Sequence, residues 1–397
     1  MNIGFVSTWF ERGGAYVTKA YVSLFQDDNV YIYARGGYRP KSKTDKSWNA
    51  SNVTYGYKMN GTDISKNHIF KWIRKCNVEI LFFNEQMEFG IIAEIRKNFP
   101  KIKLGTYIDY YTQNMVPGFE LYDFLICNTK RHQSVFEWHP QSYYVPWGTD
   151  VNVFKPQKRN YDKVTFFHSA GMSLRKGTKE LIEVFISSDL CKESKLVLHT
   201  QIPVSTFTSL SLSELESHNI TVIEKTVTAP GLYHMGDVYV YPTTLDGLGL
   251  TMYEALSCGL PVIATDCAPM NEIISNERGR LIKVDKYIAR ADGYYWPLSL
   301  ISKESLYEQM KYYVDHREFM LNQQEHVRKY ALENIDWRKR REEIKSIFIT
   351  SRKIEVEERT LERYIAEERK HAYGKLYSSI VGVLPGVVQN FCHEKIR

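Results

Sequence analysis

Short apolar runs alternate with stretches of helical spacing from the first residues onward. Ile3–Trp9 is apolar enough for a buried strand, and after the Gly13-Gly14 turn Ala15–Phe25 carries apolar side chains at helical intervals. Val30–Ala34, Ile80–Phe83, Ile102–Tyr107 and Asp123–Cys127 are further strand-like runs, separated by helix-like stretches at Ser65–Lys75, Met87–Asn98 and Arg131–Trp138. Apolar strands that alternate with helices predict a parallel sheet covered on both faces. The pattern breaks at Val145-Pro146-Trp147-Gly148 and through a polar stretch from Lys155 to Lys163. It then restarts: strands at Val164–His168, Leu196–Thr200, Val238–Tyr241 and Val262–Ala264, helices at Lys176–Ser187 and from Leu250 to Cys258. The expectation is an α/β chain with two Rossmann-like domains facing a cleft, residues 1–155 and 156–334, with ligands beyond the carboxyl ends of the strands.

From Glu304 the chain turns helical and heavily charged. Residues 351–373 hold six basic and six acidic side chains, with Ile347, Ile354 and Leu361 seven apart. That spacing fits a short coiled-coil seam or a solvated helix. The stretch Tyr373–Phe391 is apolar and nearly uncharged, suited to packing on the core or a partner, or to a membrane surface. The apolar run Ile380–Val388 is broken by Pro385 and falls well short of the ~20 residues that span a bilayer. Glu11 and Arg12 follow only a short apolar stretch, so no secretory signal is expected, and a cytoplasmic location is.

Composition narrows the classes. At 397 residues, with 43% hydrophobic and 25% charged residues, disordered, collagen-like and disulfide-stapled proteins are excluded. The balance of 52 Lys+Arg against 46 Asp+Glu gives +6, too diffuse to argue for nucleic acid but compatible with an anionic ligand or membrane surface. Six cysteines form no C-x-x-C pair, which points to buried thiols rather than a zinc site. Most of the 28 tyrosines are expected to pack.

The richest segment runs from Tyr241 to Asp266, YPTTLDGLGLTMYEALSCGLPVIATD. A strand ends in Pro-Thr-Thr, a glycine-bearing loop follows, and a helix starts near Leu250. Gly247 and Gly249 allow a ligand close to the backbone, and the free amides at Leu250 and Thr251 favour an anion. Asp246 precedes the helix and Glu254 lies eight positions on, so two carboxylates meet different parts of one polar ligand. The segment resembles the E-x7-E signature of retaining glycosyltransferases of family 4, which have the GT-B fold; here it reads D-x7-E. The resemblance implies that Asp246 contacts the donor sugar and Glu254 the nucleotide ribose.

A second segment, FFHSAGMSLRKGTKELIEVF from Phe166 to Phe185, carries Gly171 in a loop and Arg175-Lys176 at a helix start. The helix dipole disfavours cations there, and a bound diphosphate would supply the missing reason. The family resemblance places donor diphosphate contacts on such a pair, although the family's Gly-Arg several residues before the Lys is missing and Arg175 is the candidate for its duty. By the same resemblance, Gly13 and Gly14 lie over the donor phosphates. Val145–Pro156 resembles the interdomain connection, with Asp150 tying its loop, and Asn334–Arg338 the start of a helix, 335–350, that returns to the first domain. Residues 351–397 are then a helical extension.

Where many relatives carry a His near the acceptor, this chain reads YIDYY. Asp109 is the candidate polar group beside the reacting centre, with Tyr110 and Tyr111 for acceptor contacts; His132 and His168 are read as structural. The implied reaction moves a sugar, with retention, from a UDP- or GDP-linked donor to a hydroxyl of a glycan or polyprenyl-linked acceptor. It needs no cofactor or metal, since Arg175, Lys176 and the loop amides would stabilise the leaving diphosphate and no Asp-x-Asp occurs. Bacterial surface polysaccharide synthesis, peripheral membrane contact and a homo-oligomer through the C-terminal helix are further expectations. The competing readings are a glycosidase with paired carboxylates, an NAD-dependent oxidoreductase, which lacks its G-x-G-x-x-G after the first strand, and an inactive scaffold of the same fold.

Overall fold

The computed structural model describes residues 1–36, 48–57, 59, 62–158 and 162–381, with residues 371–381 as backbone only. The apolar reading of Tyr373–Phe391 therefore lies outside the described side chains.

The first domain is a seven-stranded sheet in the order β3 (Val53–Tyr55), β2 (Asn29–Arg35), β1 (Asn2–Thr8), β4 (Ile80–Asn84), β5 (Lys103–Tyr107), β6 (Phe124–Cys127) and β7 (Ser142–Tyr144). Every pairing is parallel. The connections therefore cross over through helices, among them α1 (Gly13–Val22), α2 (Lys66–Lys75), α3 (Gly90–Asn98) and α4 (Lys130–Val135). Both faces of the sheet are buried, which is why β4 reads ILFFN without a polar position until its end.

The second domain has six parallel strands in the order β10 (Ile220–Glu224), β9 (Lys195–Thr200), β8 (Thr165–Gly171), β11 (Val238–Tyr241), β12 (Val262–Thr265) and β13 (Gly279–Ile282). Helices α5 (Thr178–Ser187) and α6 (Leu250–Ser257) follow β8 and β11. An antiparallel hairpin, β14 (Val284–Ile288) and β15 (Leu298–Ile301), leaves this domain and sends residues 289–297 across to the first. Helices α7 (Lys303–Asp315) and α8 (Arg317–Asn334) close it.

The two domains are joined twice at one end. Gly148 lies against the return segment, where a Cβ would fall 2.3 Å from the Ile335 carbonyl. Thr149 exchanges backbone hydrogen bonds with Ile335 and Trp337 at 2.9 and 3.0 Å, and the Trp147 and Trp337 rings sit 4.4 Å apart. Asp150 ties its own loop, accepting from the Asn152 amide at 2.9 Å. Helix α9 (Arg341–Thr350) then packs on the first domain, with Phe348 against Phe25, Phe82 and Phe124 at 4.7–5.1 Å between centroids.

The extension departs from the expected seam. Ile354 lies in an extended stretch outside any helix, and Leu361 and Ile365 of α10 (Glu358–Val381) are buried in the first domain's own core. The seven-residue spacing is coincidental: the chain between Ile347 and Leu361 is pulled straight by hydrogen bonds to Asp123 and Gln141. Helix α10 runs antiparallel to α3, its Glu358 paired with Lys97 at one end and its Glu368 accepting the Ile91 amide at 2.8 Å at the other.

Candidate functional site

The carboxyl edges of the two sheets face each other, and most of the sequence-derived residues converge there. Lys176 closes the β8–α5 loop. The next residue, Gly177, has φ +69° and lies so close to β11 that a Cβ would fall 2.1 Å from the Pro242 carbonyl, so only glycine lets the loop pass. The Lys176 ammonium donates to the Tyr241 hydroxyl at 2.6 Å and to Asp246 Oδ2. Tyr241 donates to the same oxygen at 2.5 Å. Asp246 Oδ1 accepts the Gly249 amide at 2.8 Å and the Leu248 amide at 3.2 Å. All the acceptor positions of this carboxylate are thus engaged within the chain. Burial would raise its pKa, but the Lys176 charge and hydrogen bond, the Tyr241 hydroxyl and the Gly249 amide outweigh that and hold it well below the usual carboxylate range.

Gly249, at φ +75°, precedes the first residue of α6, so Leu250 and Thr251 form the first turn with its unpaired amides. Glu254 sits one turn in and accepts a hydrogen bond from the Tyr233 hydroxyl. Burial pushes its pKa up to about 7, against the Tyr233 hydrogen bond and the Lys176 charge. Gly171 lies at φ +57° beside open space. Arg175 is held by its backbone, its carbonyl accepting the Thr244 amide at 2.8 Å. Its side chain is exposed, and the structure does not bring it to Asp246 or Glu254.

The first domain supplies the opposite wall. Gly13 faces Leu250 across the cleft, a Cβ there standing 3.8 Å from its Cδ1. A Cβ on Gly14 would stand 3.0–3.1 Å from the Glu85 carboxylate. Asp109 lies against the loop that precedes α6: a Cβ on Gly247 would fall 2.1 Å from its Oδ1. Burial, then the charges of Glu85 and Asp246, push Asp109 up to about 7.

Three site features escaped the sequence reading. Glu85 follows β4 at φ +53°, a left-handed conformation that costs a non-glycine residue about 1–2 kcal/mol, and it pairs with Arg12 at 3.3 Å. Its signal was the polar ending NEQ after four apolar residues. Arg131 reaches from the first domain to the Asp246 carbonyl at 2.6 Å and to the Ala268 carbonyl. Glu272 of the second domain accepts the Lys130 and Arg131 amides at 2.7 and 2.8 Å, closing the start of α4. The hairpin arm is the third. Tyr294 stacks on Tyr110 at 5.1 Å and donates to the Asp109 carbonyl at 3.2 Å, and Trp296 donates to the Tyr111 hydroxyl at 2.8 Å.

That arm corrects one expectation. Tyr111 is fully buried, bonded to Trp296 and, at 3.0 Å, to His132 Nδ1. It therefore supports the cleft wall and cannot touch an acceptor, whereas Tyr110 stays partly exposed. His168 is structural, with Nδ1 on the Val240 carbonyl at 2.8 Å and Nε2 on the Thr178 hydroxyl at 2.9 Å. Among the described residues no group of three or more His, Cys, Asp or Glu side chains is placed to hold a metal ion, and no helix is long and apolar enough to cross a membrane.

Comparison with known proteins bears on the second domain first. Residues 151–317 match the family described as "Glycosyl transferases group 1". The chain is 37% identical over 67 residues to the lipopolysaccharide core biosynthesis mannosyltransferase LpsB of Rhizobium meliloti, covering 16% of this chain and 19% of that one. It is 22% identical over 170 residues to a GDP-mannose-dependent alpha-(1-6)-phosphatidylinositol dimannoside mannosyltransferase of Mycobacterium tuberculosis, covering 40% and 45%. The chain thus spans less than half the length of the curated relatives it matches. Among solved structures it is similar to sucrose-phosphate synthase from Thermosynechococcus elongatus, with a TM-score of 0.68 at 13% identity over 87% of this chain and 98% of that one. The fold is GT-B.

Proposed function

We propose that the protein is a retaining, metal-independent glycosyltransferase of family 4 that carries a sugar from a nucleotide diphosphate donor to a hydroxyl of a glycan or lipid-linked acceptor. The observation that carries this reading is the cluster Lys176–Asp246–Tyr241 at the open amide end of α6, with Glu254 one turn below. A cation and free amides converge where a leaving diphosphate gathers negative charge. Asp246, saturated within the chain, aims Lys176 and shapes the loop. Glu254 accepts the ribose hydroxyls. Gly13 and Gly14 leave room over the phosphates, and Gly171 borders the same space.

The anomeric carbon loses its bond to the diphosphate oxygen while the acceptor oxygen bonds to it on the same face. The acceptor proton passes to the departing phosphate oxygen, so no base of the chain is consumed. Asp109 and Tyr110 lie on the acceptor side, and Arg175, exposed at the loop surface, closes on the diphosphate once it is bound. The named relatives, two mannosyltransferases of lipopolysaccharide and phosphatidylinositol glycan synthesis, support a surface-glycan acceptor at the inner face of a membrane. A thermal-stabilisation screen against UDP- and GDP-linked sugars tests the reading: one nucleotide should raise the melting temperature by several degrees, and a flat response to the whole panel would refute it.

The Glu254 environment adds a pH dependence. Only an ionised carboxylate accepts from two hydroxyls at once, and Glu254 titrates near 7. Nucleotide affinity should fall about tenfold per pH unit below that value. Glu254→Gln should bind more weakly at pH 8 and lose the dependence, as calorimetric titration at several pH values would show; an unchanged slope in the variant would remove Glu254 from the ribose site.

A further inference from the structure

Arg35 is the last residue of β2, and its register partner on β1 is Thr8. The side chain is 2% exposed. One nitrogen, Nη1, donates to Gln86 Oε1 at 2.8 Å, and Gln86 is itself fixed by a 3.0 Å bond to the Thr62 carbonyl. The other two nitrogens, Nε and Nη2, have no partner among the described residues, and neither does the Thr8 hydroxyl. Buried guanidinium nitrogens are almost always satisfied, because an unmade bond to a charged group costs its full desolvation. Here the vacancy has a shape. Nε–H and Nη2–H form the side-on edge of the guanidinium, the two parallel donors that take both oxygens of one carboxylate or phosphate.

No carboxylate of the described residues forms an ion pair with this edge. Glu85 is engaged by Arg12 at 3.3 Å, and Glu88 accepts from Gln86 at 3.2 Å and from the Thr62 hydroxyl. Burial lowers the Arg35 pKa while the charges of Glu85 and Glu88 oppose that, and Glu88 is itself pushed up to about 7, chiefly by burial. Arg35 stands on the same carboxyl edge as Glu85 and Asp109, on the strand beside β1. Open space begins one residue on: a Cβ built on Gly36 meets nothing within 4 Å.

We propose that the open edge of Arg35, with the Thr8 hydroxyl, binds an oxyanion of the acceptor, so that the acceptor is an anionic glycan with a carboxylate or phosphate close to the hydroxyl that receives the sugar. This rests on the reading above that the first domain holds the acceptor. The test melts the full chain in sodium phosphate, sodium glucuronate and sodium chloride at equal ionic strength, for wild type, Arg35→Met and Arg35→Lys. The wild type should be stabilised over chloride by phosphate or by glucuronate, and which of the two acts identifies the group. Arg35→Met should lose that response while melting no lower than wild type in chloride, because it removes an unpaired buried cation. Arg35→Lys, which keeps the charge without the fork, should lose most of the response.

Equal anion responses in wild type and Arg35→Met would overturn the proposal. So would a drop of several degrees for Arg35→Met in chloride, which marks a structural arginine already satisfied. The nucleotide-sugar screen reads the donor side separately: a nucleotide response that survives in Arg35→Met while the anion response is absent from wild type sinks the anionic acceptor and leaves the transferase standing.

Discussion

Replacing Lys176 with alanine should lower kcat/KM at least a hundredfold. A hundredfold corresponds to about 2.7 kcal/mol of lost transition-state stabilisation, and one charge-assisted hydrogen bond to a leaving diphosphate supplies about 1.5–3 kcal/mol. Lys176 delivers that bond from a fixed position, because Asp246 and Tyr241 hold its ammonium before any ligand arrives. Asp246→Asn should therefore lose much of the same activity although it keeps an oxygen for the Gly249 amide. The double variant should be little worse than Lys176→Ala, since the residues act as one unit. Stability offers an independent check. The Asp246 carboxyl is held below its unfolded value, so the stabilisation it contributes is present above about pH 4 and is lost as pH falls through the folded pKa. Lys176→Ala should lose stability at neutral pH, and the deficit should shrink on acidification. Near-normal turnover in both single variants would end the assignment of this cluster to catalysis.

The second-domain half of this site was legible because its chemistry is local in sequence. Lys176 and Gly177 sit at one strand-to-helix turn, and Asp246, Gly249 and Glu254 at another, so spacing alone placed them on one edge. The partnership of Lys176 with Asp246 was not legible, since it spans seventy residues and depends on β8 lying next to β11. The first-domain wall was harder still. Glu85 and Arg35 come from two different strand ends and Arg131 from the start of α4, so no single stretch of sequence brings them together. Tyr111 misled because exposure cannot be read from a dipeptide: the arm that buries it arrives from residues 294–296 of the other domain. Among the elements, the apolar central strands were plain, whereas the edge strands β3, β7, β10 and β13 and the β14–β15 hairpin escaped. The edge strands are short, with half-buried, mixed residues such as VTY and SYY, which lack both a continuous apolar run and a clear alternation.

The C-terminal extension shows the same limit and yields the second large prediction. Charge and length suggested a solvated or self-associating helix, yet the chain leading into it is anchored on a buried acid of the first domain, beside Gln141 and the Lys97–Glu358 pair. Asp123, wholly buried at the amino end of β6, pairs with Arg96 of α3 at 2.8 Å. Its oxygens also accept the Leu104 amide and the Ile354 amide, each at 2.8 Å. Arg96 in turn donates to the Leu121 carbonyl at 3.0 Å and to the Ile354 carbonyl. Removing the carboxylate strands a buried guanidinium and two backbone amides, so Asp123→Ala should cost about 3–5 kcal/mol in denaturant unfolding. Because Ile354 loses its amide bond at the same moment and Arg96, its other partner, loses its counter-charge, residues 351–370 should become susceptible to limited proteolysis before the domain unfolds. Asp123→Leu combined with Arg96→Met removes both partners and should recover much of the loss, since the larger part of the cost lies in the charge left alone. The site lies at the opposite ends of the strands, so turnover per folded molecule should stay near wild type in all these variants. A loss below about 1 kcal/mol in Asp123→Ala would mean that water reaches Arg96 and that the extension is held by its other contacts, among them Leu361, Ile365, Glu368 and Gln141.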